Sequence, residues 1–176
     1  TKFDLKKIRE LTKQVGAKLI IDGTQSVGAL PFDMAEFQPD ALICSGYKWL
    51  LGPYSMTLGY YGECFDDGVP IEESWMNRIK SEDFRGLVNY QDEYRPMASR
   101  YNVGETSNFV LVPMMEAALR TILDWGVQNI QNYCGSLLGK YLSEFLDMGC
   151  QVEKPEFRGH HLFGVRLNEN FDFDEL

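Results

Sequence analysis

Lys18-Leu-Ile-Ile-Asp22 and Ala41-Leu-Ile-Cys-Ser45-Gly-Tyr-Lys48 are the two stretches that decide the fold. Each is an apolar run of strand length that ends on polar residues, and each reads as a short buried strand. Upstream of the first, Leu5, Ile8, Leu11 and Val15 recur at helical spacing between Asp4 and Gly16. This predicts a helix from about Asp4 to Val15, closed by glycine. Helix, strand, a turn-rich passage through Gly28 and Pro31, then a second strand is the rhythm of an α/β layer. Met56 to Tyr61 is a third strand candidate, rich in β-favouring Thr and Tyr. Position 1 is Thr and helical spacing starts at once, so the chain is expected to open inside a fold.

Between Gly62 and Ser107 periodicity disappears, and Glu63, Asp66, Asp67, Glu72, Glu73, Glu82, Asp83, Asp92 and Glu93 crowd the segment. An irregular excursion of this length is either functional or wraps a partner. Periodicity returns with Met114, Met115, Ala118, Leu119, Ile122 and Trp125, a packing stripe that starts behind Pro113 and ends at Gly126. A second helix is expected from Gln128 to Met148, stopping at Gly149, and Leu162 to Leu167 has the look of a strand. A domain border is placed near Gly126, dividing the chain into 1–126 and 127–176.

The chain of 176 residues carries 17 Lys and Arg against 26 Asp and Glu, a net charge of −9, with the basic residues scattered. That speaks against nucleic acid as a partner, which calls for clustered cations. With 44% hydrophobic residues a core is expected, and no apolar run approaches the roughly 18 residues of a membrane span. The four cysteines form no CxxC pair, so a zinc site and a disulfide scaffold are both disfavoured. A reducing, cytoplasmic setting follows as an expectation. His160 and His161 would point to different faces of an extended segment, and Cys44 reads as a core residue rather than a nucleophile.

In open α/β sheets ligand sites gather at the carboxyl ends of strands, which puts Asp22 and Lys48 at one crevice. An amine beside a carboxylate there suits pyridoxal 5'-phosphate. A lysine can condense with its aldehyde, and a carboxylate can keep its ring nitrogen protonated. Ser45, the Gly46 N–H and Tyr47 are donors able to reach a phosphate. Taken singly, an aspartate after a strand also serves as a turn or cap residue, and a lysine in a loop is commonly just solvated.

Asp22-Gly-Thr-Gln25-Ser-Val-Gly28 followed by Ser45-Gly-Tyr-Lys48-Trp-Leu-Leu-Gly52-Pro53 resembles the class V aminotransferase family of fold-type I pyridoxal-phosphate enzymes, in the family's order and at about its separation. That family includes cysteine desulfurases, selenocysteine lyases, kynureninases and epimerase-like proteins. The resemblance implies that Asp22 pairs with the pyridine nitrogen and Gln25 donates to the cofactor's 3-oxygen. It further implies that Ser45 and Tyr47 serve the phosphate and that Lys48 carries the Schiff base. Desulfurases place His before the lysine, whereas Tyr47 stands here, as in kynureninases and epimerase-like members. Ser99-Arg100-Tyr-Asn-Val-Gly104-Glu-Thr106 resembles the family's segment that crosses a homodimer, with Thr106 as a phosphate ligand.

The fold implied is α/β: part of the fold-type I large domain, a mostly parallel sheet with flanking helices, plus the start of the small C-terminal α+β domain. The resemblance also implies a fragment, inactive alone, without the phosphate loop and stacking aromatic that lie earlier in the family or the substrate-binding arginine that lies later. The full-length parent is expected to act on a small amino acid by lyase-, epimerase- or desulfurase-like chemistry. The alternative is a binding or scaffolding protein that kept the fold. The joint presence of Asp22, Gln25 and Lys48 argues for the enzyme.

Overall fold

The computed structural model describes residues 2–104, 106 and 108–168. Helix α1 (Leu5–Gln14) starts where the Asp4 carboxylate accepts the Lys7 N–H at 3.0 Å, a side-chain N-cap. Strands β1 (Ile20–Asp22) and β2 (Ala41–Ser45) run parallel, with Ile20 opposite Ala41 and Asp22 opposite Ile43. Strand β3 (Thr57–Tyr61) pairs antiparallel to the other edge of β2, with Ser45 opposite Thr57. The three-stranded sheet is therefore mixed, in the order β1-β2-β3. A short helix α2 (Met34–Phe37), N-capped by Asp33, lies in the crossover between the parallel strands.

The core sits where β2 meets α3 (Leu111–Trp125). Leu42, Cys44, Leu50, Met115 and Ile122 form its buried cluster. Val127 and Ile130 of α4 (Val127–Leu138) pack against the same cluster. Pro113 lies in the first turn of α3, where the Asn108 carboxamide oxygen accepts the Val110 and Leu111 N–H groups. The helix ends as its sequence predicts, at Gly126, whose φ of 76° suits glycine.

Three expectations are corrected. β1 is not a buried strand: Ile20 is 62% exposed, because β1 is an edge paired only to β2 among the described residues. The helix expected from Gln128 to Met148 is two helices, α4 and α5 (Leu142–Asp147). Its apolar spacing continues across Gly139-Lys140-Tyr141, but glycine favours a break, and Lys140 and Tyr141 donate three residues back, to Leu137 and Leu138. The strand expected over Leu162–Leu167 is reduced to β5 (Val165–Arg166), antiparallel to β4 (Gln151–Val152). Pro155 follows β4 closely and opens a 3₁₀ turn, so the ladder has no longer partner.

The excursion after β3 holds 3₁₀ turns at Trp75–Asn77 and Met97–Tyr101 and a bridge between Arg78 and Tyr94. Glu105, Ser107 and residues 169–176, the end of the second expected unit, lie outside the described residues.

Candidate active site

Because β1 and β2 are parallel, their carboxyl ends open at the same edge of the sheet. Asp22 is the last residue of β1, and Ser45 is the last of β2. Thr24 ties the two ends together. Its N–H donates to the Asp22 carboxylate at 2.9 Å, and its hydroxyl oxygen accepts the Ser45 N–H at 3.1 Å while lying 3.4 Å from the Ser45 hydroxyl. Hydrogen bonds from Thr24 hold the exposed Asp22 carboxyl below its ordinary range against the opposing effect of burial, and the charge of Lys48 adds a lesser pull in the same direction. Asp22 is thus a carboxylate kept ionised by its own turn.

Lys48 sits in a turn that is pinned on both sides. Gly46 donates to the Met56 carbonyl at 2.7 Å, Gly52 to the Gly46 carbonyl at 2.8 Å, and Leu51 to the Lys48 carbonyl at 3.0 Å. Gly28 is required where this turn crosses the preceding one. Its φ is 94°, and a Cβ there would come within 2.4 Å of the Trp49 carbonyl oxygen. The half-buried Lys48 amine has no ion pair or hydrogen bond among the described residues, and it lies 5.9 Å from the centre of the Tyr47 ring. Tyr47 itself stacks on Tyr54 at 4.6 Å.

Gln25 is held at both ends. Its carboxamide oxygen accepts the Trp49 indole N–H at 3.2 Å, and its backbone carbonyl lies 2.8 Å from Nε2 of His161. An indole nitrogen can only donate, so the Gln25 amide must present oxygen to Trp49, which leaves its NH₂ group for the open side. Asp22, Gln25, Ser45 and Lys48 are therefore gathered at adjoining strand ends, and Tyr47 flanks them. Thr106 is exposed before α3, and its carbonyl accepts the Asn108 N–H at 3.1 Å. Arg100 is engaged within the chain: it donates to the carbonyls of Arg95 and Gly68. Burial pushes the Cys44 thiol up, with the Asp22 charge adding to it, as befits a core residue.

Two clefts mark the surface. One of about 700 Å³ has Asp22 and Gln25 on one side and Gln131, Arg158, His160 and His161 on the other; Ser45 and Lys48 are not among its walls. The other, of about 680 Å³, is walled only by residues between Glu73 and Gln91 and holds none of the expected site residues. Sequence reasoning missed Thr24, Trp49, Gln131 and His161. Thr24 and Trp49 stood inside the quoted motifs, whereas Gln131 gave no signal beyond a polar position on a helix.

An ionised carboxylate, an amine without an ion pair and a carboxamide whose N–H groups have no partner among the described residues fit pyridoxal phosphate. They match the ring nitrogen, the aldehyde and the 3-oxygen in donor and acceptor character. The Aminotransferase class-V family matches residues 1–167. An uncharacterized aminotransferase of Bacillus subtilis, YcbU, is 27% identical over 85% of this chain and 38% of its own length. A cysteine desulfurase of Synechococcus elongatus is 31% identical over 76% of this chain and 20% of its own. The chain thus spans well under half the length of these relatives. Among solved structures, the apo cysteine desulfurase of Thermococcus onnurineus matches with a TM-score of 0.69 at 18% identity, covering 98% of this chain and 42% of that one. That likeness shows the fold.

Proposed function

Because this chain belongs to the class-V aminotransferase family, we propose that its strand-end site holds pyridoxal 5'-phosphate and that the whole protein transforms a small amino acid there. The observation that carries the reading is the meeting, at two parallel strand ends, of an Asp22 carboxylate held ionised and a Lys48 amine without an ion pair among the described residues. When bound, the cofactor supplies an electron sink for the bonds around the substrate's α-carbon. Asp22 keeps the ring nitrogen protonated by charge. Gln25 donates from its free NH₂ group to the 3-oxygen, and the Ser45 hydroxyl, with Tyr47 beside it and Thr106 across a homodimer, serves the phosphate. The Lys48 amine would hold the cofactor's aldehyde end and would accept and return the proton at the substrate's α-carbon.

Lyase-, epimerase- or desulfurase-type chemistry is the finer reading. Relatives named cysteine desulfurase and hercynylcysteine sulfoxide lyase support its lyase side. Residues 1–126 would supply the cofactor-binding large domain and 127–176 the start of a small one, with the border at the left-handed turn of Gly126.

The test is turnover of cysteine, selenocysteine, kynurenine and simple amino acids by full-length protein with added pyridoxal phosphate. Lys48→Arg is expected to abolish turnover, since a guanidinium stays protonated and cannot condense with an aldehyde. Asp22→Asn, nearly isosteric, is expected to keep the cofactor and lose turnover by a few orders of magnitude. Turnover by Lys48→Arg at the parent's rate would overturn the assignment.

A further inference from the structure

Gln131 is a helix glutamine that the sequence offers as surface, yet it is only 6% exposed and all its polar atoms are used. Its carboxamide oxygen accepts the His160 N–H at 3.0 Å. Its NH₂ group donates to the Ala29 carbonyl at 2.7 Å and lies 2.8 Å from Nδ1 of His161. A backbone N–H can only donate and a backbone carbonyl can only accept, so the amide orientation is fixed by Ala29 and His160. Nδ1 of His161 must then accept, and the imidazole proton resides on Nε2. That nitrogen faces the Gln25 carbonyl at 2.8 Å and donates to it. The same ring packs edge-on against Trp49 at 4.8 Å, and Trp49 in turn donates to the Gln25 carboxamide.

Room for both histidines is built in by glycine. A Cβ on Gly159 would lie 2.8 Å from Cε1 of His161, and one on Gly135, in the middle of α4, would lie 2.4 Å from Nδ1 of His160. Glycine inside a helix costs roughly 1 kcal/mol relative to alanine. The His160 ring gives that cost a reason here.

The geometry points to Gln131 and His161 as positioning residues: a relay running from α4 through the imidazole to the Gln25 carbonyl that, with Trp49, fixes which face of the Gln25 amide meets the cofactor's 3-oxygen. The inference rests on the cofactor reading above. It couples the chain beyond Gly126 to a cofactor contact on the loop after β1, across more than a hundred residues of sequence.

The test measures pyridoxal phosphate dissociation from full-length protein and its His161→Leu and His161→Gln variants, together with ¹⁵N NMR of the imidazole. Wild-type protein should show Nε2 protonated and Nδ1 bare. His161→Leu should weaken binding about fivefold, the scale of one lost hydrogen bond. His161→Gln, whose carboxamide can still donate to Gln25, should restore it to within about twofold of wild type. Trp49→Phe, which leaves a smaller aromatic ring beside His161 and removes the indole N–H, should weaken binding at least as much as His161→Leu, and does not depend on either histidine variant folding. Wild-type binding with both His161→Leu and Trp49→Phe unchanged, a His161→Gln variant as weak as the leucine one, or a proton on Nδ1 would each overturn the relay alone. Wild-type protein that takes up no pyridoxal phosphate would overturn the cofactor reading and the relay with it.

Discussion

The strand-end region, residues 18–61, and the excursion, residues 62–110, are built on opposite principles. In the first, the β2 side chains Leu42 and Cys44 join Leu50, Met115 and Ile122 in a buried apolar cluster. In the second, large apolar side chains such as Val69, Val88 and Tyr90 are exposed, and order comes from charge. Arg78 pairs with Glu73 at 2.6 Å and lies 3.9 Å from the Tyr94 ring centre. The Tyr94 hydroxyl donates to Glu73 at 2.7 Å, which lowers the Glu73 carboxyl and raises the Tyr94 phenol. Arg95 reaches Ser81 and Glu82, and the fully buried Asn77 donates to the Glu72 carbonyl at 3.1 Å. A scaffold that holds a reacting group in place needs the first kind of construction, because salt screens exposed ion pairs and does not screen apolar packing.

The sharpest way to break this contrast is Leu42→Ala. It should cost about 3 kcal/mol of global stability, the usual toll of a core cavity, as read from urea unfolding. A loss below about 1 kcal/mol would mean that the β2 cluster is not what holds the sheet.

Next comes the charged pair that ties α1 to the start of β2. Asp40 accepts the Arg9 guanidinium at 2.6 Å and the Leu19 N–H at 2.7 Å, with both side chains largely buried. Burial opposes its charge, but these donors hold its carboxyl below its ordinary range. A carboxyl lowered by folding contributes stability that is present above its unfolded value and lost as pH falls through its folded one. Asp40→Asn should therefore lower stability by about 2 kcal/mol at neutral pH, and the gap to wild type should narrow below about pH 4. A gap that stays constant into acid would assign the effect to packing.

A smaller effect is expected in the excursion. Arg95→Ala should cost about 1 kcal/mol, with faster amide exchange confined to residues 74–95, and raised salt should mimic it in part. Equal loosening of β2 under the same salt would erase the distinction between the regions. Smallest is Gly135→Ala, where gained helix propensity and the displaced His160 ring nearly cancel, leaving stability within about 0.5 kcal/mol of wild type.

The same contrast explains what could be read from the sequence. Strand β2 was legible as an apolar run, β3 by its β-favouring Thr and Tyr, and α1 and α3 by apolar residues at helical spacing that end at a glycine. The ends of β1 and β2 were legible because Asp22 closes the first apolar run and Ser45 the second. The excursion was not, since ion pairs such as Arg78 with Glu73 leave no period. Nor was the break between α4 and α5, where apolar spacing runs on through Gly139, or the link of Gln131 to His161, which only the tertiary fold brings together.

The most direct measurement of the central claim is the site of covalent attachment. Full-length protein incubated with pyridoxal phosphate, reduced with borohydride and digested should carry the added mass on the peptide containing Lys48, and Lys48→Ala should carry none there. Mass on a different lysine, or none on wild-type protein saturated with the cofactor, would contradict the account.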